Sequence, residues 1–184
     1  IALALGAAYI CYRMAFYAPP RTPLGDTIET PKGKIYDPYR ESMIRWTKEV
    51  RQMEQEDLWI TSFDGLLLHG KYYEYAPGAP IELMFHGYRG SAERDMAGGV
   101  MRAFALGRSA LVVEQRAGGS DGHVISFGVR EHRDCLAWTA YLVERLGPET
   151  KIILTGISMG AATVLMAAGL DLPDKDEFDV SINL

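Results

Sequence analysis

The 184-residue sequence contains few of the residues that build disulfide frameworks, metal centres or nucleic-acid interfaces. It has two cysteines, Cys11 and Cys135, and four histidines, and their spacing matches no structural zinc site. Acidic residues outnumber basic ones by 24 to 19, which argues against a nucleic-acid-binding surface. No G-x-G-x-x-G motif is present, so a dinucleotide fingerprint is excluded. The remaining composition, 48% hydrophobic and 23% charged, is typical of a globular domain.

Long hydrophobic runs are also scarce, and the one at the N-terminus is short. The segment IALALGAAYICY carries no charge, but its twelve residues are fewer than the roughly 20 that span a bilayer. We expect residues 1–18 to form an apolar helix that acts as a single-pass membrane anchor, completed upstream of Ile1. Arg13 and the neighbouring aromatic residues then lie at the membrane interface. A buried or amphipathic helix and a signal-peptide remnant are the alternatives.

The remainder divides into a Pro-rich linker with a helix, residues 19–56, and a partial α/β domain, residues 57–184. Basic residues in the linker favour a cytoplasmic location for this part of the chain. Asp37 and Pro38 are expected to be the N-cap and first residue of the helix. A stripe at spacings of three and four residues predicts its packing face, formed by Met43, Trp46, Val50 and Met53.

The order of strand-like and helical segments predicts an α/β fold. The dipeptide Asp64-Gly65 separates two strand-like runs, which indicates a hairpin because both turn residues tolerate positive φ. The apolar runs IELMF, ALVV and KIILT follow, and each is typical of a strand covered on both faces. Helical stretches at Glu93–Gly107 and Gly128–Gly147 separate them. We therefore expect an antiparallel hairpin that leads into a mostly parallel sheet.

Two G-x-S-x-G motifs are present, and their contexts differ. Ser158 lies between the strand-like KIILT and the helix-like AATVLMAAGL, which is the strand-turn-helix context of a nucleophile elbow. Ser120 lies in the Gly-rich segment RAGGSDGH with no helix beginning at the serine. We therefore assign Ser158 as the nucleophile and Ser120 as a loop residue. Glu114 and Arg116, which precede that loop, are expected to form a local ion pair.

Two backbone N–H groups are candidates for an oxyanion hole. The N–H of Met159 begins the helix after the elbow, where the helix dipole favours negative charge. The N–H of Tyr88 follows Gly87 in the turn after the strand IELMF, and we predict it as the second donor. His86, directly before this turn, is expected to brace it by hydrogen bonding rather than to act as a base.

The segments HGYRGS, EQRAGGSDGH and LTGISMGAA together resemble the α/β-hydrolase superfamily, and more narrowly its bacterial membrane-anchored members related to the prolyl-oligopeptidase-like and esterase branches. The resemblance covers roughly Leu58 to Leu172. It implies a serine hydrolase that cleaves a small-molecule or peptide ester or amide through an acyl-enzyme, without a cofactor. Oligomeric state is not indicated.

The resemblance also implies an acid and a histidine after the nucleophile, and no histidine follows Ser158. The acidic residues after it lie too near the elbow helix to be assigned: Asp171, Asp174, Asp176, Glu177 and Asp179. Serine needs an adjacent base. We expect either a fragment of a hydrolase, inactive by itself, or a chain without a base. His123 is a possible substitute base, and a noncatalytic membrane-tethered binding module is the alternative function.

Overall fold

The structure is a computed structural model that describes residues 1–19, 25–119, 121–169 and 178–183. The helices within these residues are α1 (Ala2–Phe16), a 3₁₀ helix (Lys34–Tyr39), α2 (Arg40–Gln52), α3 (Ala92–Ala105), α4 (Glu131–Leu146) and α5 (Met159–Ala168). The strands are β1 (Glu56–Thr61), β2 (Leu67–Tyr73), β3 (Ile81–Phe85), β4 (Ser109–Val113), β5 (Ile152–Ile157) and β6 (Phe178–Asn183).

The strands form one mixed sheet in the order β1-β2-β4-β3-β5-β6. β1 and β2 form an antiparallel hairpin, and β2 pairs antiparallel with β4. The pairs β4–β3, β3–β5 and β5–β6 are parallel. Every residue of β3 and β4 is buried, as expected for parallel strands that helices cover on both faces. The predicted hairpin and mostly parallel sheet are therefore confirmed.

The hairpin connection is longer than the Asp-Gly dipeptide suggested. Thr61 pairs with Leu67, and the Ser62 N–H donates to the Leu66 carbonyl at 2.8 Å, so three residues, 63–65, rather than two lie between the last paired residues. Gly65 has a φ of +85°, and the Gly65 N–H donates to the Ser62 carbonyl. Asp64 does not share the positive φ. The expectation that both turn residues adopt it was wrong, because one left-handed glycine after a tight turn is enough in a longer loop.

The core has one part on each face of the sheet. On one face, Trp138 of α4 is 1% exposed and packs with Leu111 and Leu154 of the sheet. A side chain at Gly70 of β2 would lie 3.2 Å from the Trp138 ring, so this glycine makes room for the indole. On the other face, α3 packs against Met84 and Val112. Both faces of β3 and β4 are thereby kept from water.

The helix in the linker begins later than the sequence suggested. Pro38 lies inside the 3₁₀ helix, and Tyr39 is the residue that precedes α2. The predicted cap at Asp37 was therefore wrong, because Asp37 hydrogen bonds with the Arg40 side chain instead. The predicted packing face is confirmed at Val50, which is buried against the α3 side of the core.

Helix α1 lies along the outside of the domain. None of its residues is buried, and Tyr17, the residue after the helix, forms a bridge with Val124. Among the residues that the structure describes, no helix combines the length and the apolar character needed to cross a bilayer.

Candidate active site

The chain turns sharply at Ser158. β5 ends at Ile157 and α5 begins at Met159, and the serine between them has φ +54° and ψ −113°. A non-glycine residue adopts such a conformation only when the surrounding structure enforces it. The Ser158 side chain is exposed and makes no capping hydrogen bond to α5. The hydroxyl is thus available to a molecule at the carboxyl edge of the sheet.

The two glycines that flank the elbow are required by close backbone approach. A Cβ at Gly160 would lie 2.7 Å from the Phe85 carbonyl carbon and 2.8 Å from the His86 carbonyl oxygen. A Cβ at Gly156 would lie 2.6 Å from the Ala161 nitrogen. Since real Cβ atoms do not come this close to backbone, α5 can begin here against β3 only with glycine at both positions.

The turn after β3 lies beside this elbow. A Cβ at Gly87 would be 3.5 Å from the Ser158 Cβ. The turn is closed by the Gly90 N–H, which donates to the Gly87 carbonyl at 3.0 Å, and Arg89 has a φ of +50°. The Asp95 carboxylate of α3 accepts the Gly87 N–H at 3.1 Å. The turn is therefore fixed to α3 on one side and lies against Ser158 on the other.

The structure brings Ser158, Met159 and Tyr88 together. Met159 is the first residue of α5, and Tyr88 follows the glycine that lies against Ser158. Within the described part of the chain, no group accepts a hydrogen bond from the backbone N–H of Met159 or Tyr88. Two donors beside a hydroxyl, one of them at a helix N-terminus, are suited to hold negative charge that develops on a carbonyl oxygen.

His86 has a structural role in this arrangement. The imidazole is 2% exposed, and its Nε2 accepts the Gln115 N–H at 3.0 Å. Nδ1 then carries the proton and donates to the Gly87 carbonyl at 2.9 Å. The expectation that His86 braces the turn is confirmed, because both ring nitrogens are used by backbone groups.

Two buried side chains that the sequence did not point to connect the turn with α5. The Gln115 side-chain amide donates to the His86 carbonyl, and the Thr163 hydroxyl donates to the Gln115 Oε1 at 3.1 Å. Thr163 lies on α5 four residues after Met159. No motif marks Gln115 or Thr163, since their partners are distant in sequence.

The expected ion pair between Glu114 and Arg116 does not form. Arg116, 2% exposed, donates to Asp134 at 2.6 and 2.8 Å and to Asp64 at 2.9 Å, whereas Glu114 accepts the Ala92 N–H at the start of α3. The Arg116 guanidinium lowers the pKa of Asp64 to about 2. Burial raises the pKa of Asp134 to about 6 against the opposing effect of Arg116. Arg116 thereby ties the hairpin loop to α4.

The structure provides no base for Ser158 within the residues that it describes. No hydrogen bond joins any of the four histidines to Ser158, and His123 lies against the Tyr17 ring instead. Ser120 and the candidate acids Asp171, Asp174, Asp176 and Glu177 lie outside the described residues. The described residues also contain no cluster of potential metal ligands.

A pocket of about 480 Å³ opens beside Ser158. The residues that line it include Ser158, Ile157, Gly87 and Tyr88, and α3 contributes Asp95 and Gly98. The segment expected to hold the linker and its helix also lines this pocket, through Pro31, Tyr36, Met43, Trp46 and Thr47. The stripe of α2 thus has a second role that its periodicity did not indicate, since Met43 and Trp46 line this pocket.

Comparison with protein-family models gives no match, and comparison with curated proteins gives none either. Solved structures are similar. The esterase Pf2001 of Pyrococcus furiosus in one crystal form is 26% identical, with a TM-score of 0.60, over 67% of this chain and 49% of that one. A second crystal form aligns over 89% of this chain and 54% of that one, at 22% identity and a TM-score of 0.63.

An α/β hydrolase from Novosphingobium aromaticivorans is 28% identical over 64% of this chain and 41% of that one, with a TM-score of 0.50. The chain spans about half the length of these solved proteins.

Proposed function

We propose that this chain, whose likeness to solved structures supports membership of the α/β-hydrolase superfamily, is part of a serine hydrolase that cleaves an ester or amide through an acyl-enzyme at Ser158. The observation that carries this proposal is the backbone of Ser158, with φ +54° between a parallel strand and a helix N-terminus. Strain of this kind is concentrated at functional sites.

In the proposed reaction the Ser158 Oγ attacks the substrate carbonyl carbon while a base takes the hydroxyl proton. The negative charge on the former carbonyl oxygen is held by the N–H groups of Met159 and Tyr88. Collapse of the tetrahedral intermediate expels the alcohol or amine, which takes the proton back from the base. Water then attacks the acyl-enzyme in the same way and regenerates the serine. We propose that the histidine base and its acid partner belong to the part of the protein that follows Leu184.

The pocket beside Ser158 supports a substrate with an apolar part. Met43, Trp46 and Tyr36 line one wall, and such side chains favour an aliphatic or aromatic group over a strongly charged one. Asp95 and Arg94 also line the pocket, and they are paired with each other at 2.7 Å. We infer a small-molecule or peptide acyl compound as substrate, in keeping with the esterase activity named for the Pyrococcus furiosus protein.

The second candidate is a noncatalytic binding module with the same fold. It is favoured by one observation, which is that no described histidine hydrogen bonds to Ser158. It is disfavoured by the exposed, strained serine, because a binding module gains nothing from that conformation.

A fluorophosphonate probe distinguishes the two functions when it is applied to the full-length protein. We expect covalent labelling at Ser158 and its loss in Ser158→Ala. The matched control is Ser120→Ala, which changes the other G-x-S-x-G serine and is expected to leave labelling unchanged. No labelling of a folded full-length protein that has a histidine downstream would favour the binding module. Labelling that disappears in Ser120→Ala instead would move the nucleophile to the loop.

We also propose that α1 anchors the protein to the membrane, with the hydrolase domain on the cytoplasmic side. Helix α1 supports this because its exposed side chains include Leu3, Leu5, Tyr9 and Ile10. The full-length protein is expected in the membrane fraction after a carbonate wash. Its domain should resist protease added to intact cells. Recovery in the soluble fraction, or digestion of the domain in intact cells, would contradict the respective part of this proposal.

A further inference from the structure

The turn after β3 contacts the C-terminal end of α1, which lies more than 70 residues earlier in the sequence. The Arg89 Nη2 donates to the carbonyl oxygens of Met14 at 2.8 Å and Tyr17 at 2.9 Å. The Tyr88 hydroxyl donates to the Ala15 carbonyl at 2.9 Å. The last carbonyls of a helix have no partner within the helix, and the helix dipole favours a cation there. Side chains of the turn therefore complete the end of α1.

The backbone of Arg89 explains why these contacts matter to the turn. Its φ of +50° lies in the left-handed region, where glycine is the usual residue because a side chain is strained there. The sequence has arginine at this position, and the guanidinium is anchored to α1 and, through Nε, to the Tyr88 hydroxyl at 2.9 Å. Two nitrogen atoms of the Arg89 side chain are thus held by three acceptors.

Ring contacts reinforce the same connection. The Tyr88 ring stacks on Phe127 with 5.2 Å between centroids, and Phe127 meets the edge of the Phe16 ring of α1 at 5.6 Å. The Ile125 N–H also donates to the Phe16 carbonyl at 2.7 Å. The side chain of Tyr88 is therefore held by α1 and by the segment next to it, while its backbone lies at the candidate oxyanion site.

We propose that Arg89 is a positioning residue. By binding the C-terminal carbonyls of α1, and with the help of the Tyr88 hydroxyl, it holds the turn of residues 87–90 so that the Tyr88 N–H is directed to the oxyanion. Helix α1 is then an outer support of the active site. This inference rests on the proposed function, because it needs an oxyanion to be stabilised.

The test compares steady-state hydrolysis of p-nitrophenyl acetate by full-length Arg89→Ala, Arg89→Lys and wild type. Complete removal of an oxyanion donor lowers kcat by about 10²–10³-fold. Arg89→Ala keeps the Tyr88 N–H, but the orientation of this N–H is no longer fixed. We therefore expect kcat to fall about tenfold, with KM changed less than about twofold. Lysine keeps the charge but lacks the planar fork that reaches two carbonyls, so Arg89→Lys should recover part of the loss.

Two further variants make the result specific. Tyr88→Phe keeps the backbone N–H and the ring but removes the donor to Ala15. In the double variant the loss of kcat should be smaller than the product of the two single losses, because both side chains hold the same end of α1. Arg45→Ala is the matched control, since Arg45 is an exposed arginine on α2 that pairs with Glu49 at 3.8 Å, and it should not change kcat.

Hydrogen–deuterium exchange gives a readout that does not depend on hydrolysis. Arg89→Ala should increase exchange in the last turn of α1 and in the turn of residues 87–90, whereas Arg45→Ala should not. The positioning role would be overturned if Arg89→Ala kept the wild-type kcat, or if Arg89→Ala and Arg45→Ala lost kcat equally. The proposed function would stand in either case. A wild-type protein that neither hydrolyses the ester nor reacts with the fluorophosphonate would overturn both.

Discussion

Replacing Ser158 by glycine is expected to stabilise the chain, which is the reverse of what a serine-to-glycine change does at an ordinary helix start. With φ +54° and ψ −113°, Ser158 occupies a region that side chains avoid. Such strain costs about 1–3 kcal/mol. Glycine relieves it but loses about 0.5–1 kcal/mol through the greater freedom of the unfolded chain.

The net effect is therefore a gain of about 0–2.5 kcal/mol in the free energy of unfolding for Ser158→Gly. Ser158→Ala should be neutral within about 0.5 kcal/mol, because a surface change that removes no bond has little effect. The Ser158 side chain makes no capping hydrogen bond to α5, so the alanine variant loses no such bond. The comparison thus isolates the backbone of the elbow from any chemistry of the hydroxyl.

Urea unfolding followed by circular dichroism measures these differences. Ser91 supplies the control, since it is the N-cap of α3 with an ordinary φ of −137° and its side chain accepts the Arg94 N–H at 3.1 Å. Ser91→Ala should lower the free energy of unfolding by about 1 kcal/mol. Ser91→Gly should lower it by only about a few tenths of a kcal/mol. If Ser158→Gly is instead less stable than Ser158→Ala, the serine is not strained and the elbow geometry is refuted.

Two further predictions concern residues that support the site. Gly160→Ala should prevent cooperative unfolding or soluble expression, because its Cβ would lie 2.8 Å from the His86 carbonyl oxygen; a normally folded variant would show that α5 can move away from β3. Asp64 has its pKa lowered to about 2 by Arg116, so its ionised form stabilises the folded state above pH 4 and the effect is lost as the pH falls towards 2. Asp64 is partly exposed, and allowing for screening we expect Asp64→Asn to cost about 1–2 kcal/mol at pH 7 and about half as much at pH 3. A cost in urea unfolding that is independent of pH would show that the Asp64–Arg116 pair does not stabilise the fold.

The elbow and the strands around it could be predicted because local sequence is sufficient to specify them. Continuous apolar runs identified β3, β4 and β5, since strands covered on both faces need no alternation. The glycines at 156 and 160 are spaced as a close strand-to-helix approach requires, and the structure shows the backbone atoms that leave no room for a Cβ. The Gly87–Tyr88 turn next to Ser158 followed from its place at the end of a strand.

Local sequence was not sufficient where a side chain has more than one possible partner. Arg116 has Glu114 two residues away, yet it pairs with Asp64 and Asp134, because the hairpin loop and α4 converge on it and Glu114 accepts the Ala92 N–H at the start of α3. The Asp64-Gly65 dipeptide predicted a hairpin correctly but not its loop length, which the register of β1 and β2 determines.

The sequence by itself determined that a strand, a serine and a helix follow one another at residues 152–168, because hydrophobicity and glycine spacing act over a few residues. Only the tertiary structure decided what surrounds that serine. The 3₁₀ helix and α2 form a wall of its pocket, and the end of α1 binds Tyr88 and Arg89. These contacts join residues more than 70 positions apart, and such pairs depend on how the whole sheet and its helices pack.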